Sequence, residues 1–261
     1  MNKHMFVVCA YKESAFLEEC ICSLEKQTVS SEIVMITSTP NAHIEQMAEK
    51  HHIPLVVNHG VSGIGPDWNF GIAQCEANLV TIAHQDDTYE PDYARTVMEQ
   101  YEGNKDALII FSDYGEIRNA KVCDNSNLVG IKRKMLFPLR FKCFARNRFV
   151  RRRILGMGNA ICCPAVTYVL DNLEQPIFRE GLKSNLDWET WERLSRKKGA
   201  FVYIPQVLMH HRIHEESTTS ELIHENKRSQ EDYEIFVKFW PPFIAKLLCG
   251  MYAKGEKYNE V

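Results

Sequence analysis

The sequence predicts an α/β fold: a mainly parallel central sheet flanked by helices, with a C-terminal helical extension. The main observation is that short apolar runs of strand length alternate with helix-period patterns over the first half of the chain. At 261 residues the chain is long enough to bury a core as one domain or as a domain with a small appendage. Its composition, 45% hydrophobic and 25% charged, is that of an ordinary globular protein.

Met5 to Ala10 reads as the first buried strand. The helix after it places Leu17, Cys20, Ile21 and Leu24 on one face, with Ser14 as its cap and Glu18 and Glu19 at its positive end. Ile33 to Ile36 is the second strand, and Asn41 caps a helix with Ile44, Met47 and Ala48 inward. After a third strand, Leu55 to Val57, a loop bearing Gly60, Gly63 and Gly65 leads to a helix that Pro66 and Asp67 start and that runs to about Ala77. Leu79 to Ala83 is the fourth strand and ends in His84-Gln85-Asp86-Asp87. Pro91 opens a helix burying Ala94, Val97, Met98 and Tyr101, and Leu108 to Phe111 is a fifth strand. From Asn119 to Arg153 the periodicity weakens, as in a mobile or partly helical insertion. Order returns at Asn159 to Ala165 and in a helix from Asp187 to Lys198 that stops at Gly199. Phe201–Ile204 and Val207–His210 read as paired strands around Pro205-Gln206, and two helices flank Pro241-Pro242. The chain thus divides into an α/β half (1–118), a basic insertion (119–158), a second half (159–220) and C-terminal helices (221–261).

The formal charge of −3 and pI of about 6.4 argue against a general nucleic-acid binder. Charge is unevenly placed: Lys132 to Arg153 holds ten basic residues and no acidic one. These alternate with Leu136, Phe137, Leu139, Phe141, Phe144 and Phe149, a pattern suited to a lid over phosphates or to an anionic membrane surface. The nine cysteines are odd in number and irregularly spaced, and most sit among apolar residues, as reduced core thiols do. Neither Cys20-Ile21-Cys22 nor Cys162-Cys163 has the Cys-x-x-Cys spacing of a zinc site. The N-terminus lacks a signal-peptide run and no stretch has the length of a membrane span, so the expected location is cytoplasmic, at the inner face of the membrane if the basic segment meets lipid.

Asp86-Asp87 directly after a buried strand is the strongest chemical feature. Ligands of open α/β sheets bind beyond the carboxyl ends of the strands, where a carboxylate can hold Mg²⁺ or Mn²⁺ against substrate phosphates. Asp is also a common turn residue, and spacing alone leaves both readings open.

The segment Leu79 to Tyr93, LVTIAHQDDTYEPDY, resembles the metal-binding strand end of family 2 glycosyltransferases with the GT-A fold. By that resemblance Asp86 is the metal and diphosphate contact, with Gln85 and Asp87 beside it against the donor. His84 stands where the family has Asp; a neutral imidazole can hydrogen-bond ribose or diphosphate, or ligate metal, but brings no negative charge. The opening segment around Ala10, Tyr11 and Glu13 is similar to the family's first strand and the loop that wraps the nucleoside. Thr37-Ser38-Thr39 falls at the loop that contacts the base, and Asp67 and Asn69 fall at a donor-binding helix start. Leu186 to Leu194 resembles the segment in which an Asp opening a helix is the catalytic base, which puts that role on Asp187. An N-cap is the bland role of the same residue. Trp188 and Trp191 are then candidates to pack on an acceptor sugar. In His210-His211-Arg212-Ile213-His214, strand alternation sets His210 and Arg212 opposite His211; the resemblance puts Arg212 near the diphosphate and His214 at the metal. The resemblance covers residues 5–115, and 155–215 more loosely. It implies an inverting transferase that moves a sugar from a nucleotide-diphosphate donor, a UDP-sugar, to a hydroxyl of a cell-surface polysaccharide or glycolipid precursor. In this reading 1–118 binds the donor and 159–220 binds the acceptor, a saccharide or lipid-linked molecule. The cofactor is Mn²⁺ or Mg²⁺, membrane contact runs through 132–153, and no nucleic acid is involved. The alternative is a non-catalytic nucleotide-binding or peripheral membrane protein with a degenerate site.

Overall fold

A computed structural model describes residues 3–182, 184–214 and 228–256. The parts of the second half and C-terminal segment that fall at 215–227 and 257–261 lie outside the described residues. Strands β1 (His4–Cys9), β2 (Glu32–Thr37), β3 (Leu55–Val57) and β4 (Leu79–His84) are the four apolar runs, and they pair in parallel in the order β3-β2-β1-β4. Helices α1 (Leu17–Glu25), α2 (Ala42–Lys50) and α3 (Ile64–Ala73) connect them as crossovers. Asn41 caps α2, its side chain accepting from Ile44 N at 3.0 Å. Ser14 does not cap α1, which starts three residues later; its hydroxyl turns to Asp86 instead. Helix α3 lies so close on β1 that a Cβ at Gly71 would meet Val7 Cγ1 at 2.5 Å.

Beyond β4 the sheet becomes mixed. The two-residue strand β5 (Thr88–Tyr89) and helix α4 (Tyr93–Glu102) lead into the long β6 (Ala107–Arg118), which turns back in β7 (Lys121–Cys123). Strand β8 (Val166–Val169) sits antiparallel between β4 and β6, and β9 (Ala200–Ile213) runs parallel to β6 and antiparallel to β5. The expected hairpin at Pro205-Gln206 is therefore one continuous strand with a bulge. Its register jumps from Ser112↔Ile204 to Asp113↔Val207, leaving exposed Pro205 and Gln206 outside the ladder. Proline has no N–H to give to a ladder, and a bulge accommodates that.

The basic segment is helical through most of its length: α5 (Asn127–Leu136), a 3₁₀ turn at Phe137–Arg140, α6 (Lys142–Ala145) and α7 (Arg148–Leu155). Ser126 caps α5 and Asn147 caps α7. Many of its cations are absorbed by the fold. Arg151, wholly buried, donates to the carbonyls of Ser195, Lys197 and Gly199 at the end of α8 (Leu186–Ser195). Arg146 pairs with Asp106 and Arg152 with Glu192. Helices α9 (Arg228–Phe236) and α10 (Pro242–Glu256) complete the described chain, packing Phe236 and Tyr252 around Trp188. One apolar layer lies on each side of the sheet. Among the described residues no helix is long and apolar enough to cross a membrane.

Candidate active site

The turn after β4 is closed by Asp87 N–H donating to His84 O at 3.1 Å, and it leaves Asp86 partly open and Asp87 fully buried. The β5–β9 pairing carries the end of β9 past this turn. Two carboxylates thereby meet residues more than 120 positions away. His214 Nε2 lies 3.1 Å from Asp86 Oδ2, while Ser14 Oγ donates to Asp86 Oδ1 at 3.2 Å. Asp87 Oδ1 takes the Arg212 N–H and the His211 ring, each at 2.9 Å. Arg212 Nε donates to Asp86 O, and its guanidinium pairs with Glu19 at 2.6 Å over the Phe16 ring. Strand alternation set Arg212 apart from His211. They converge because a backbone N–H lies in the plane of the sheet and a long arginine reaches around the strand end. His210 does go elsewhere, to Asp124 at 3.0 Å.

Burial opposes the charge on Asp87, yet His211, His84 and the Arg212 N–H outweigh it and hold the carboxyl below its ordinary range. Burial likewise opposes charge on His211, but the Asp87 carboxylate beside it pushes the imidazole upward. His84 moves the other way. Burial lowers it despite the charges of Asp87, Asp86 and Asp187, all of which reach its ring. The ring is stacked on Trp68 at 5.3 Å, and its Nε2 is buried with no hydrogen-bond partner among the described residues. Asp187 sits in the first turn of α8 rather than at its cap, which is Asn185; Asn159 Nδ2 donates to Asp187 Oδ2 at 2.6 Å. The starts of α3 and α8 touch, since a Cβ on Gly65 would lie 2.5 Å from Leu186 Cδ2.

The loop after β1 meets the turn through a reciprocal pair. Tyr11 N–H donates to Gln85 Oε1 and Gln85 Nε2 donates to Tyr11 O, both at 2.9 Å. Tyr11 and Glu13 are exposed beside it, and Ala10 is buried beneath. Asp67 ties the loops after β2 and β3, accepting from Ser38 and Asn58 at 2.7 Å each.

Several expected contacts are corrected by geometry. Thr37 is buried, its hydroxyl accepting from Thr39 N. Asn69 clamps α3 to a distant loop, its Nδ2 donating to Phe178 O and its Oδ1 accepting from Phe178 N, which fixes the amide while leaving one N–H and one lone pair over. Asp87 and Arg212 are buried, and their hydrogen bonds join the end of β9 to the turn that carries Asp86. Trp188 and Trp191 have 0% exposure: Trp188 Nε1 donates to Leu155 O and Trp191 stacks on Tyr168, so neither offers a face to an acceptor. Sequence reasoning missed Ser14, Glu19, Asn159 and His211, whose roles come from pairings across the fold that no local pattern marks.

One carboxylate oxygen and one imidazole nitrogen 3.1 Å apart, both partly open, form a donor pair that suits a divalent ion such as Mn²⁺. Solved structures share the architecture. TarS residues 1–349 from S. aureus, in complex with UDP-GlcNAc, aligns with 97% of this chain and 72% of its own, at 15% identity and a TM-score of 0.66. The mannosyltransferase PcManGT from Pyrobaculum calidifontis, in complex with GDP-Man and Mn²⁺, aligns with 98% and 70%, at 15% identity and 0.63. Glucosyl-3-phosphoglycerate synthase from Mycobacterium tuberculosis, with Mn²⁺, UDP and glucosyl-3-phosphoglycerate, aligns with 81% and 72%, at 14% and 0.56. A comparison with curated protein sequences gives no match. The fold is thus the GT-A fold of glycosyltransferases. The model of glycosyl transferase family 2 matches residues 5–157, more than half of the sequence, and the chain belongs to that family.

Proposed function

We propose that this glycosyltransferase moves a sugar from a nucleoside-diphosphate donor, a UDP-sugar, onto a hydroxyl with inversion at the anomeric carbon. The observation that carries this reading is the pairing of Asp86 with His214 at the strand ends, with Asp187 on a helix whose start packs against α3, the helix that stacks Trp68 on His84. Solved neighbours with UDP-GlcNAc, UDP and GDP-Man support a nucleotide-sugar donor, and two carry Mn²⁺. Asp86 and His214 would hold the divalent ion, which when bound neutralises charge on the leaving diphosphate. The Tyr11–Gln85 pair shapes the loop for the nucleoside, and neutral His84 offers its unpartnered Nε2 to ribose or diphosphate. Asp187, steadied by Asn159, takes the proton of the acceptor hydroxyl as the oxygen attacks. Attack from the face opposite the diphosphate requires the Asp187 carboxylate and the ion held by Asp86 to flank the sugar from opposite sides.

The acceptor is a cell-surface polysaccharide or glycolipid precursor met at a membrane. Support for the membrane contact is a surface of exposed Phe137, Phe141, Phe144 and Phe149 interleaved with exposed Lys134, Arg140, Lys142 and Arg148.

The test is turnover of a nucleotide-sugar panel by the full chain with Mn²⁺ or Mg²⁺, alongside donor-induced thermal shift. Asp187→Asn should cut turnover by about 10²–10⁴-fold while donor binding survives. Asp86→Ala should lose both turnover and the metal-dependent shift. Turnover retained in both variants would reject the assignment.

A further inference from the structure

Away from the strand ends, α1 and the residue that ends α2 bring together Glu18, Cys22 and His51, one ligand atom of each lying within 4.8 Å of the others. Glu18 and Cys22 are one helical turn apart on α1, so both point to the same side. His51 follows α2 directly, and its side chain is only 9% exposed. Glu25 Oε1 lies 3.1 Å from its Nδ1. An ionised carboxylate only accepts, so it fixes the proton on Nδ1 and leaves the Nε2 lone pair bare in a neutral ring. That Nε2 is shut off from solvent and has no hydrogen-bond partner among the described residues. The nearest carboxylate oxygen of Glu18 is 4.0 Å away, beyond hydrogen-bond reach even for a protonated ring. A buried nitrogen oriented by a carboxylate and facing a thiol and a second carboxylate is the arrangement that metal-ligating histidines show.

We propose that Glu18, Cys22 and His51 form a second cation site, separate from the strand ends, for a thiophilic divalent ion of the zinc class. The sulfur, nitrogen and oxygen donors match that preference, and three protein ligands leave a fourth position to water. On binding, the Cys22 thiol gives its proton to solvent and Glu18 releases Lys50, now 2.5 Å away. Glu18 is half-exposed, so its side chain can swing inward to close the cluster. Glu25 is a positioning residue. The ion would tie α1 to the end of α2, and the neighbouring Glu19 of α1 holds Arg212 against Asp86. A Cys-x-x-Cys search misses the site because its ligands come from two helices.

The experiment is titration of the reduced full chain with Co²⁺, whose thiolate charge-transfer absorption reports sulfur ligation, followed by displacement with Zn²⁺. One equivalent should develop the band and release one thiol proton, and Zn²⁺ should abolish it. Cys22→Ser and His51→Ala should show no band, and Glu25→Gln should weaken binding by about 10–100-fold. Cys143→Ser, which removes an exposed thiol, and Asp86→Ala, whatever it does to turnover, should both develop the same Co²⁺ band as the parent protein. Zn²⁺ should raise the melting temperature of the parent and not of Cys22→Ser. The proposal is overturned if the parent gives no band, if the band survives in Cys22→Ser or His51→Ala, or if it disappears in Cys143→Ser. Because Asp86→Ala separates this site from the donor site, failure here leaves the transferase reading standing.

Discussion

Asp87 ties the turn after β4 to the end of β9 from inside the fold. It has 0% exposure, and it binds the His211 ring and the Arg212 N–H, both at the end of β9, to the turn that presents Asp86. With Asn in place of Asp87, the Arg212 N–H and the part-exposed His211 ring face an uncharged, weaker acceptor, and hydrogen bonds to a charged group are worth about 1.5–3 kcal/mol. Asp87→Asn should therefore lower the urea-unfolding free energy by about 1.5–3 kcal/mol; an unchanged value would refute the pairing. The pair also has a pH window. Asp87 is held below its ordinary range, so its contribution is present above about pH 4 and fades as pH falls through the lowered value. His211 is raised, so its contribution is full below about pH 6.5 and fades as pH rises through the raised value. Both are complete between those limits. Asp86 was legible from its place after an apolar strand. His211 was not, because its partner lies 124 residues earlier and only the fold joins them.

At the scale of elements, the first four strands were legible because parallel strands covered on both faces are unbroken apolar runs. Strand β9 was misread because Pro205-Gln206 looks like a turn, and only its register against β6 reveals a bulge. The basic segment hid its helices because its outer faces mix phenylalanine among the exposed cations, which blurs the apolar stripe a helix pattern relies on. Phe137, Phe141 and Phe144 are 52%, 50% and 40% exposed, with the Phe141 ring in contact with both of the others. On α10, Phe243, Leu247 and Met251 recur every four residues on the exposed side. Arg153 lies over both Phe149 of α7 and Trp240, just before α10, linking the two surfaces. The chain should cosediment with phosphatidylglycerol-containing vesicles and not with purely zwitterionic ones. Neutralising Arg140, Lys142 and Arg148 should weaken this by about 1 kcal/mol each, roughly fivefold per charge, and added salt should do the same. Equal binding to zwitterionic vesicles, or no change in the triple variant, would remove the membrane reading.

The whole molecule joins two halves of different regularity. A parallel β-α-β half supplies Asp86 from a strand end, and a mixed half supplies Asp187 from a helix start and His214 from beyond β9; β8, between β4 and β6, stitches them. That stitch carries a buried polar chain. His4 on β1 contacts Ser31 at 2.6 Å and Thr81 on β4 at 2.9 Å, and Thr81 contacts Thr167 on β8 at 2.7 Å. Burial pushes His4 down to about 3 from an ordinary value of 6.5, so between the two values it is neutral in the fold while the unfolded chain takes a proton. Between those values the unfolded state binds the extra proton, and stability falls as pH falls, by about 1.4 kcal/mol per pH unit. At about pH 4.5 this amounts to about 3 kcal/mol. His84, also lowered by burial, acts in the same direction. His4→Leu removes the titrating group, while Thr81 keeps its Thr167 bond, so the neutral-pH cost should be modest, about 1–2 kcal/mol. The two unfolding curves should then cross on acidification, the variant being the weaker protein near neutrality and the stronger at about pH 4.5. Parallel curves across that range would mean that His4 is protonated inside the fold, and the neutral hydrogen-bonded chain across β1, β4 and β8 would have to be abandoned.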